Sequence, residues 1–330
     1  MKIIDLKEKA VSNYELGRNI GIKTRDDILS NFKTFEEDMA KKNDKKVEEL
    51  SDKLGKTFPD YFQELNGIAE GSGIDIKDLL WFSYDTDITG CTNLAIKSND
   101  RIMLGHNEEW DKDVKLYLVK ANVANQYRKS NSSFISISYS GQLPGLIGFN
   151  KNGISFGGNS IDTNINEAGT PIPFLTRSFL DANSLDEVIE VISKNKREVG
   201  MNYLVVSAGE GKMANIEWSP EDYNVIYGDK FIAHTNHFLS EKMKKYQTET
   251  TEEYSDMRLK RATGLASKIE IPSFNDFKRI LSDHKNEDED NAICDHESIL
   301  ASVIADSQDN KLYVAEGNGC ENEYKEYKLN

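Results

Sequence analysis

Ile88-Thr89-Gly90-Cys91-Thr92-Asn93 separates two stretches of different character: the chain before it reads as helix, the chain after it as short strands. A cysteine directly after a glycine also has a chemical option. If the Gly90–Cys91 bond is cut, Cys91 becomes a new N-terminus, with a thiol and an α-amine on one residue. An α-amine titrates near ~7.7–8.0, so it can take a thiol proton near neutrality, where a lysine at about 10.4 is mostly charged. Glycine has no Cβ, which permits a strained scissile peptide and close approach of the thiol. The cut would run by thiol attack on the Gly90 carbonyl, an N-to-S acyl shift and hydrolysis of the thioester. The competing reading is an inert cysteine buried at a strand start, the usual fate of a free thiol.

Working outward, residues 1–90 are expected to be mainly helical. A weakly amphipathic helix is expected over Ile28–Leu54, another over Phe58–Ala69, a break at Gly71-Ser72-Gly73 and a short helix over Ile76–Tyr84. Strands are expected at Ile102–His106 after the turn Ser98-Asn99-Asp100, and at Leu116–Ala121, Phe134–Ser140, Leu146–Phe149 and Ile154–Gly158. Two helices follow. One opens at Pro171-Ile172-Pro173; the other carries Leu185, Val188, Ile189 and Ile192 on one face, with Ser184 and Glu187 as a capping box. Strands return over Asn202–Ser207, Met213–Trp218, Asn224–Tyr227 and Phe231–His234, then helices over Arg258–Ile269 and Phe274–Leu281, then strands over Ser298–Asp306 and Lys311–Glu316. The run Glu287–Asp290 reads as an exposed acidic loop. Strand runs interrupted by helices fit stacked antiparallel sheets covered by helices.

Three further segments concentrate polar chemistry. Gly105-His106-Asn107-Glu108-Glu109-Trp110-Asp111 places three carboxylates, an amide and an imidazole after a strand. A carboxylate there can orient the α-amine of Cys91, and His106, Asn107 and Asp111, with Thr92, are candidates for holding substrate. In His234-Thr235-Asn236-His237, Asn236 is a candidate oxyanion donor, a role worth ~2.7–4 kcal/mol. His234 is a candidate substrate contact, and His234 or His237 is the base in a rival Cys/His scheme. Gly157-Gly158-Asn159 offers a second amide donor after two glycines that permit a close approach but, taken alone, read as a β-bulge.

Composition narrows the partners. The 330 residues carry a formal net charge of −15, which argues against nucleic acid and anionic membranes. No run approaches a membrane span of ~20 apolar residues. Nor does the start resemble a signal peptide, so a cytoplasmic protein is expected. Three cysteines without a CxxC or HExxH pattern suggest a reducing compartment and give no metal site.

Together these segments resemble the acyl-coenzyme A:6-aminopenicillanic acid acyltransferase family, the isopenicillin-N acyltransferase-like group of N-terminal nucleophile hydrolases. Tyr14-Glu15-Leu16-Gly17-Arg18-Asn19-Ile20-Gly21 resembles its N-terminal motif and Gly90-Cys91-Thr92 its processing site. Gly105–Trp110 and Ala233–Leu239 resemble its central motifs. In the tail the resemblance runs through Ala292-Ile293-Cys294-Asp295-His296 and Cys320-Glu321-Asn322-Glu323. It implies an α+β fold, a four-layer αββα sandwich. It implies a helical α fragment, 1–90, released by self-cleavage but retained, and a β fragment, 91–330, carrying the catalytic core, together one domain. Cys91 carries over as nucleophile, Asn236 as oxyanion donor and Asn159 as a second asparagine. Glu109 stands where the family usually has aspartate, so the role falls to Glu109 or passes to Asp111. An arginine is also implied, Arg258 or Arg261.

The function so implied is hydrolysis or acyl transfer on a linear amide through a Cys91 acyl-enzyme. The substrate would be an N-acyl amino acid, a peptide or a penicillin-like side chain. No cofactor is needed, although acyl-coenzyme A is a possible co-substrate. The alternatives are a Cys/His hydrolase that never cuts itself and an inactive binding protein on the same fold.

Overall fold

The computed structural model describes residues 1–84, 90–99, 101–165, 169–248, 252–285 and 292–329. Ile88, Thr89, Asp100 and the acidic run 287–290 lie outside them. The chain folds as two compact units.

The first unit comprises Met1–Thr86, Asp113–Asn150 and Thr170–Asp181. It opens with a strand the sequence did not suggest, β1 (Lys2–Ser12), of which only Ile4 is buried. It is recruited by backbone pairing, parallel to β4 (Leu116–Asn125), and not by an apolar face, so its Lys-Glu-rich sequence gave no alternation to read. β5 (Ser130–Tyr139) and β6 (Ile147–Asn150) continue antiparallel. The helices are α1 (Asn13–Thr34), α2 (Glu36–Ala40), α3 (Asp44–Thr57), α4 (Pro59–Ser72), α5 (Ile76–Tyr84) and α6 (Ile172–Phe179). α1 starts at a Ser12/Glu15 capping box. The expected single helix over Ile28–Leu54 is three pieces, because Asn43 accepts from the Lys46 N–H and restarts the chain as α3. Gly73, in the left-handed conformation, ends α4 where the Gly-Ser-Gly break was expected.

α1 and α4 meet backbone to backbone. A Cβ on Gly17 would overlap the Glu64 carbonyl, and one on Gly67 the Tyr14 carbonyl. Beneath this seam Arg177 is fully buried, bonded to Glu64 at 3.0 Å and Asp181 at 3.0 Å. The motif Tyr14–Gly21 is thus a packing device.

The second unit comprises Asp87–Lys112, Lys151–Gly169 and Ala182–Asn330. One of its sheets holds β7 (Ile154–Ser160), β8 (Met201–Ser207), β9 (Lys212–Trp218) and β10 (Tyr223–Gly228), each antiparallel to the next. The β7–β8 register runs unbroken, so Gly157-Gly158 is no bulge. Gly157 faces Asn93 and His106, and Gly158 faces Tyr203. The other sheet has the order β11 (Phe231–His234), β2 (Thr92–Lys97), β3 (Ile102–Glu109), β12 (Ile299–Asp306), β13 (Lys311–Glu316) and β14 (Lys325–Lys328). β14, like β1, is a lysine-rich terminal strand that the sequence did not suggest.

β2 and β3 face β7 and β8. α8 (Glu252–Ala266) and α9 (Phe274–Leu281) cover the outer face of β2, β3, β11 and β12, burying Leu94, Ile96, Met103, Ala262, Phe277 and Ile280 together. α7 (Leu185–Lys194) covers β8 and β9. This is the expected αββα layering. Half of the expected α7 capping box forms. Ser184 accepts from the Glu187 N–H, while the Glu187 carboxylate turns to the Asn183 N–H. Among the described residues no helix is long and apolar enough to cross a membrane.

Replacing Gly17 by Ala is expected to force α1 from α4 and cost about 1–3 kcal/mol in urea unfolding. An equivalent exchange at Gly264, where nothing lies within 4 Å, should be harmless.

Candidate active site

Strand alternation decides which side chains meet. In β2 and β3, Asn93, His106 and Glu108 point between the sheets, while Thr92, Asn107 and Glu109 point toward the helices. The two consecutive carboxylates therefore serve different neighbourhoods. Cys91 is fully buried and its thiol faces the Glu109 carbonyl at 4.0 Å. The Cys91 sulfur, a His106 nitrogen and a Glu108 oxygen all lie within 4.8 Å of one another.

An amide chain holds this inner side. Asn159 donates to the Cys91 carbonyl at 2.9 Å and accepts from Asn93 at 2.8 Å and Asn202 at 3.2 Å. The Asn93 carbonyl oxygen meets His106 Nδ1 at 2.7 Å, and His106 Nε2 meets Glu108 at 2.7 Å. Both ring nitrogens of His106 are thereby committed.

On the helix side stands Arg258 of α8. Its Nη1 donates to the carbonyls of Gly90 at 3.2 Å and Cys91 at 2.9 Å and to Thr92 Oγ1 at 3.0 Å; its Nη2 donates to Asn236 Oδ1 at 2.8 Å. A guanidinium only donates, so the Asn236 atom facing it is the oxygen. The Asn236 nitrogen then points at the Ser160 carbonyl, 2.9 Å away. Ser255 fixes the same segment from α8, accepting from the Asn236 N–H at 2.6 Å and lying 2.7 Å from His237 Nδ1.

Glu109 lies against the Gly90–Cys91 junction. Gly90 has φ +89°, a conformation that favours glycine, and a Cβ there would sit 2.5 Å from Glu109 Oε2, so any other residue would also displace that carboxylate. Glu109 Oε1 is 3.8 Å from Arg258 Nη1 and has no hydrogen-bond partner among the described residues. Burial lifts the Glu109 carboxyl to about 8; Arg258 draws it down, and Asp295 and Glu108 push it up. Burial also raises the Cys91 thiol well above its ordinary value, and Glu108 and Glu109 add to the effect. The thiol is protonated at rest.

The structure thus gathers Gly90, Cys91, Thr92, His106, Glu109, Asn159, Asn236 and Arg258. Four candidates fall elsewhere. Asn107 spends its amide on the carbonyls of Leu281 and Ile293, at 2.9 and 2.8 Å, because its strand position faces α9. Asp111 is exposed beyond the end of β3, leaving Glu109 as the buried carboxylate. His234 is fully buried, with Nδ1 on the Thr235 carbonyl at 2.6 Å and Nε2 on Glu217 at 2.9 Å. Arg261 forks onto Asp283 at 2.8 Å, which leaves Arg258 at the junction.

Sequence reasoning missed Asn93, Asn202, Asn215, Glu217 and Ser255. A signal was present. In Ala214-Asn215-Ile216-Glu217-Trp218, polar residues alternate with apolar ones along the buried part of a strand. Polar side chains at such positions need partners.

A family model described as acyl-coenzyme A:6-aminopenicillanic acid acyl-transferase matches residues 96–321. The chain belongs to this family. Among curated relatives, the beta-alanyl-dopamine/carcinine hydrolase of Drosophila melanogaster is 24% identical over 213 residues, with 55% of each chain covered. The acyl-coenzyme A:6-aminopenicillanic-acid-acyltransferase 40 kDa form of Emericella nidulans is 22% identical over 205 residues, covering 58% of this chain and 56% of its own. The acyltransferase-family chain thus spans little more than half the length of the curated relatives it matches. Among solved structures, a mutant of the conjugated bile acid hydrolase of Clostridium perfringens is 14% identical at a TM-score of 0.46, covering 73% of this chain and 97% of its own. An N-acylethanolamine-hydrolyzing acid amidase ortholog of Caenorhabditis elegans is 13% identical at 0.46, covering 66% and 93%.

The raised Glu109 value has a sign. A carboxyl that holds its proton more tightly when folded contributes fully below pH 4.5, and that contribution is lost as pH rises through about 8. With Cys91→Ala removing the neighbouring thiol, stability from urea unfolding is expected to fall by at most about 1.4 kcal/mol per pH unit across this window. Adding Glu109→Gln should flatten the slope; equal slopes in both proteins would show that Glu109 is not the titrating group.

Proposed function

We propose that the chain is a self-processing cysteine N-terminal-nucleophile amidohydrolase or acyltransferase that acts on a linear amide. The observation that carries this reading is the environment of the Gly90–Cys91 peptide. Its flanking carbonyls are held by Arg258 and Asn159, its glycine is left-handed, and a buried carboxyl lies against it, one oxygen of which has no hydrogen-bond partner among the described residues.

In the cut, the Cys91 sulfur bonds to the Gly90 carbonyl carbon and the C–N bond breaks. The thiol proton ends on the departing nitrogen. Water then hydrolyses the thioester, giving a Gly90 carboxylate and a free Cys91 thiol. Arg258 is the donor to the oxyanion that develops on Gly90. The new α-amine emerges beside Glu109, whose Oε1 gains a partner there. In turnover the α-amine takes the thiol proton, the sulfur bonds to the substrate carbonyl carbon, and the amide C–N bond breaks as that proton passes to the leaving nitrogen, which gives a free amine and an acyl-enzyme. Asn236 has a second amide hydrogen beyond the one given to Ser160, and it serves the substrate oxyanion. Water or an amine resolves the acyl-enzyme.

The substrates we propose are small N-acyl amines, peptides or penicillin-like amides, with acyl-coenzyme A as a possible acyl donor and no other cofactor. The family supports amide chemistry, and the name of the insect relative points to β-alanyl amides. The working enzyme on this reading is the 1–90 and 91–330 fragments held together, acting in the cytoplasm.

Denaturing intact mass tests the scheme. Wild type is expected as two fragments splitting between Gly90 and Cys91, and Cys91→Ala as one uncut chain; an uncut wild type would sink the self-processing step. Arg258→Lys keeps the charge but not the fork and is expected to slow the cut about 10²-fold. One observation favours a second reading, hydrolysis without a cut: a His106 nitrogen lies within 4.8 Å of the Cys91 sulfur. It predicts an uncut but active wild type whose activity disappears in His106→Ala.

A further inference from the structure

Away from the Cys91 site, the second unit gathers the other two cysteines with two histidines. His284 follows α9, Cys294 and His296 precede β12, and Cys320 lies in the turn between β13 and β14. One ligand atom from each, a sulfur or a ring nitrogen, lies within 4.8 Å of all the others. The Cys294 and Cys320 sulfurs are 3.5 Å apart, and Cys320 Sγ is 3.5 Å from His296 Nε2. A tetrahedral zinc ion with Zn–S of about 2.3 Å and Zn–N of about 2.0–2.1 Å sets S···S at about 3.8 Å and S···N at about 3.6 Å. The two measured spacings lie within about 0.3 Å of these values, and the remaining ligand atoms are close enough to meet around one small ion. The two sulfurs are too far apart for a sulfur–sulfur bond of about 2.05 Å.

A second feature points the same way. His296 Nδ1 lies 3.2 Å from Glu321 Oε1. A carboxylate on one ring nitrogen fixes the tautomer and turns the other toward a metal, the usual arrangement behind a zinc-bound histidine. The backbone around the cluster is also fastened. The Cys294 N–H donates to the Asp283 carbonyl at 3.1 Å, and Asn107 holds the carbonyls of Leu281 and Ile293, one on each incoming segment.

We propose that His284, Cys294, His296 and Cys320 form a structural zinc site. Two thiolates and two imidazoles suit a tetrahedral borderline-soft ion. Four protein ligands leave no open position, so the ion is a clamp and takes no part in turnover. It would pin the end of α9, the entry to β12 and the β13–β14 turn to one point. β12 pairs with β3 through Ile299 and Glu109, so the clamp anchors the strand that backs the Glu109 carboxyl.

The test is metal analysis of the purified full chain after dialysis under reductant, followed by cobalt substitution. About one zinc per chain is expected, together with the intense visible bands of tetrahedral cobalt and a thiolate-to-cobalt charge-transfer band. Cys320→Ser should lose the metal, Cys91→Ala should keep it, and Glu321→Gln should weaken zinc binding about 10-fold. If Cys320→Ser fails to fold, the wild-type cobalt spectrum and the Glu321→Gln affinity still decide. Three results would overturn the proposal: a reduced wild type that takes up neither metal, a mass showing Cys294 and Cys320 joined as a disulfide, or a metal that leaves with Cys91 and stays in Cys320→Ser.

Discussion

The buried guanidinium of Arg258 is the constraint around which the second unit is organised. From α8 it reaches two consecutive backbone carbonyls, a threonine hydroxyl and an asparagine oxygen, and so ties the start of β2 to the segment that follows β11. Removing a buried cation from such a set leaves several acceptors unsatisfied at once, each costing about 1–3 kcal/mol. The same cation opposes the burial penalty on Glu109. Geometry and electrostatics at the Gly90–Cys91 junction therefore rest on one side chain. Ser255, three residues earlier on α8, positions the Asn236 backbone that Arg258 needs.

Between the sheets the unit departs from an ordinary sandwich. Asn93, Asn159, Asn202 and Asn215, with His106, Glu108, Glu217 and His234, replace apolar side chains over part of the inner layer. Much of this layer is paired: Asn215 donates to the Ala233 carbonyl, and Glu217 accepts from His234 and from the backbone of Leu239 and Ser240. Such a network confers rigidity when complete and is costly when broken. It holds the Cys91 carbonyl through Asn159, while an apolar cluster fills the outer face of the second sheet against α8 and α9.

The layering was legible because it is written in periodicity. β8, β9, α7 and α9 fall within a residue or two of where alternation and helical spacing put them. β1 and β14 were not legible, since a terminal strand held by backbone pairing tolerates lysine and glutamate where a central strand does not. At the site, Gly90, Cys91 and Asn236 stood out by type and neighbours. Which of Glu108, Glu109 and Asp111 meets the junction depends on strand phase and on where β3 ends. Arg258 and Arg261, three residues apart, also share a helix flank and part ways only because Asp283 waits for one of them. The Cys₂His₂ cluster draws on segments 36 residues apart, across a strand pair, and carries no short spacing motif.

Strand phase at Glu108–Glu109 has a consequence for how this sequence can vary in length. A side chain's direction in β3 is an address counted in steps of two, so a one-residue deletion or insertion there exchanges every address downstream. Losing one residue between Gly105 and the end of β3 would bring the Glu109 carboxylate into the space between the sheets and turn its neighbour outward toward Arg258. Paired changes of two residues keep the addresses and alter only reach. Length variation is thus expected in the turns flanking β3, such as the exposed stretch at Asp111–Asp113, and not within the strand.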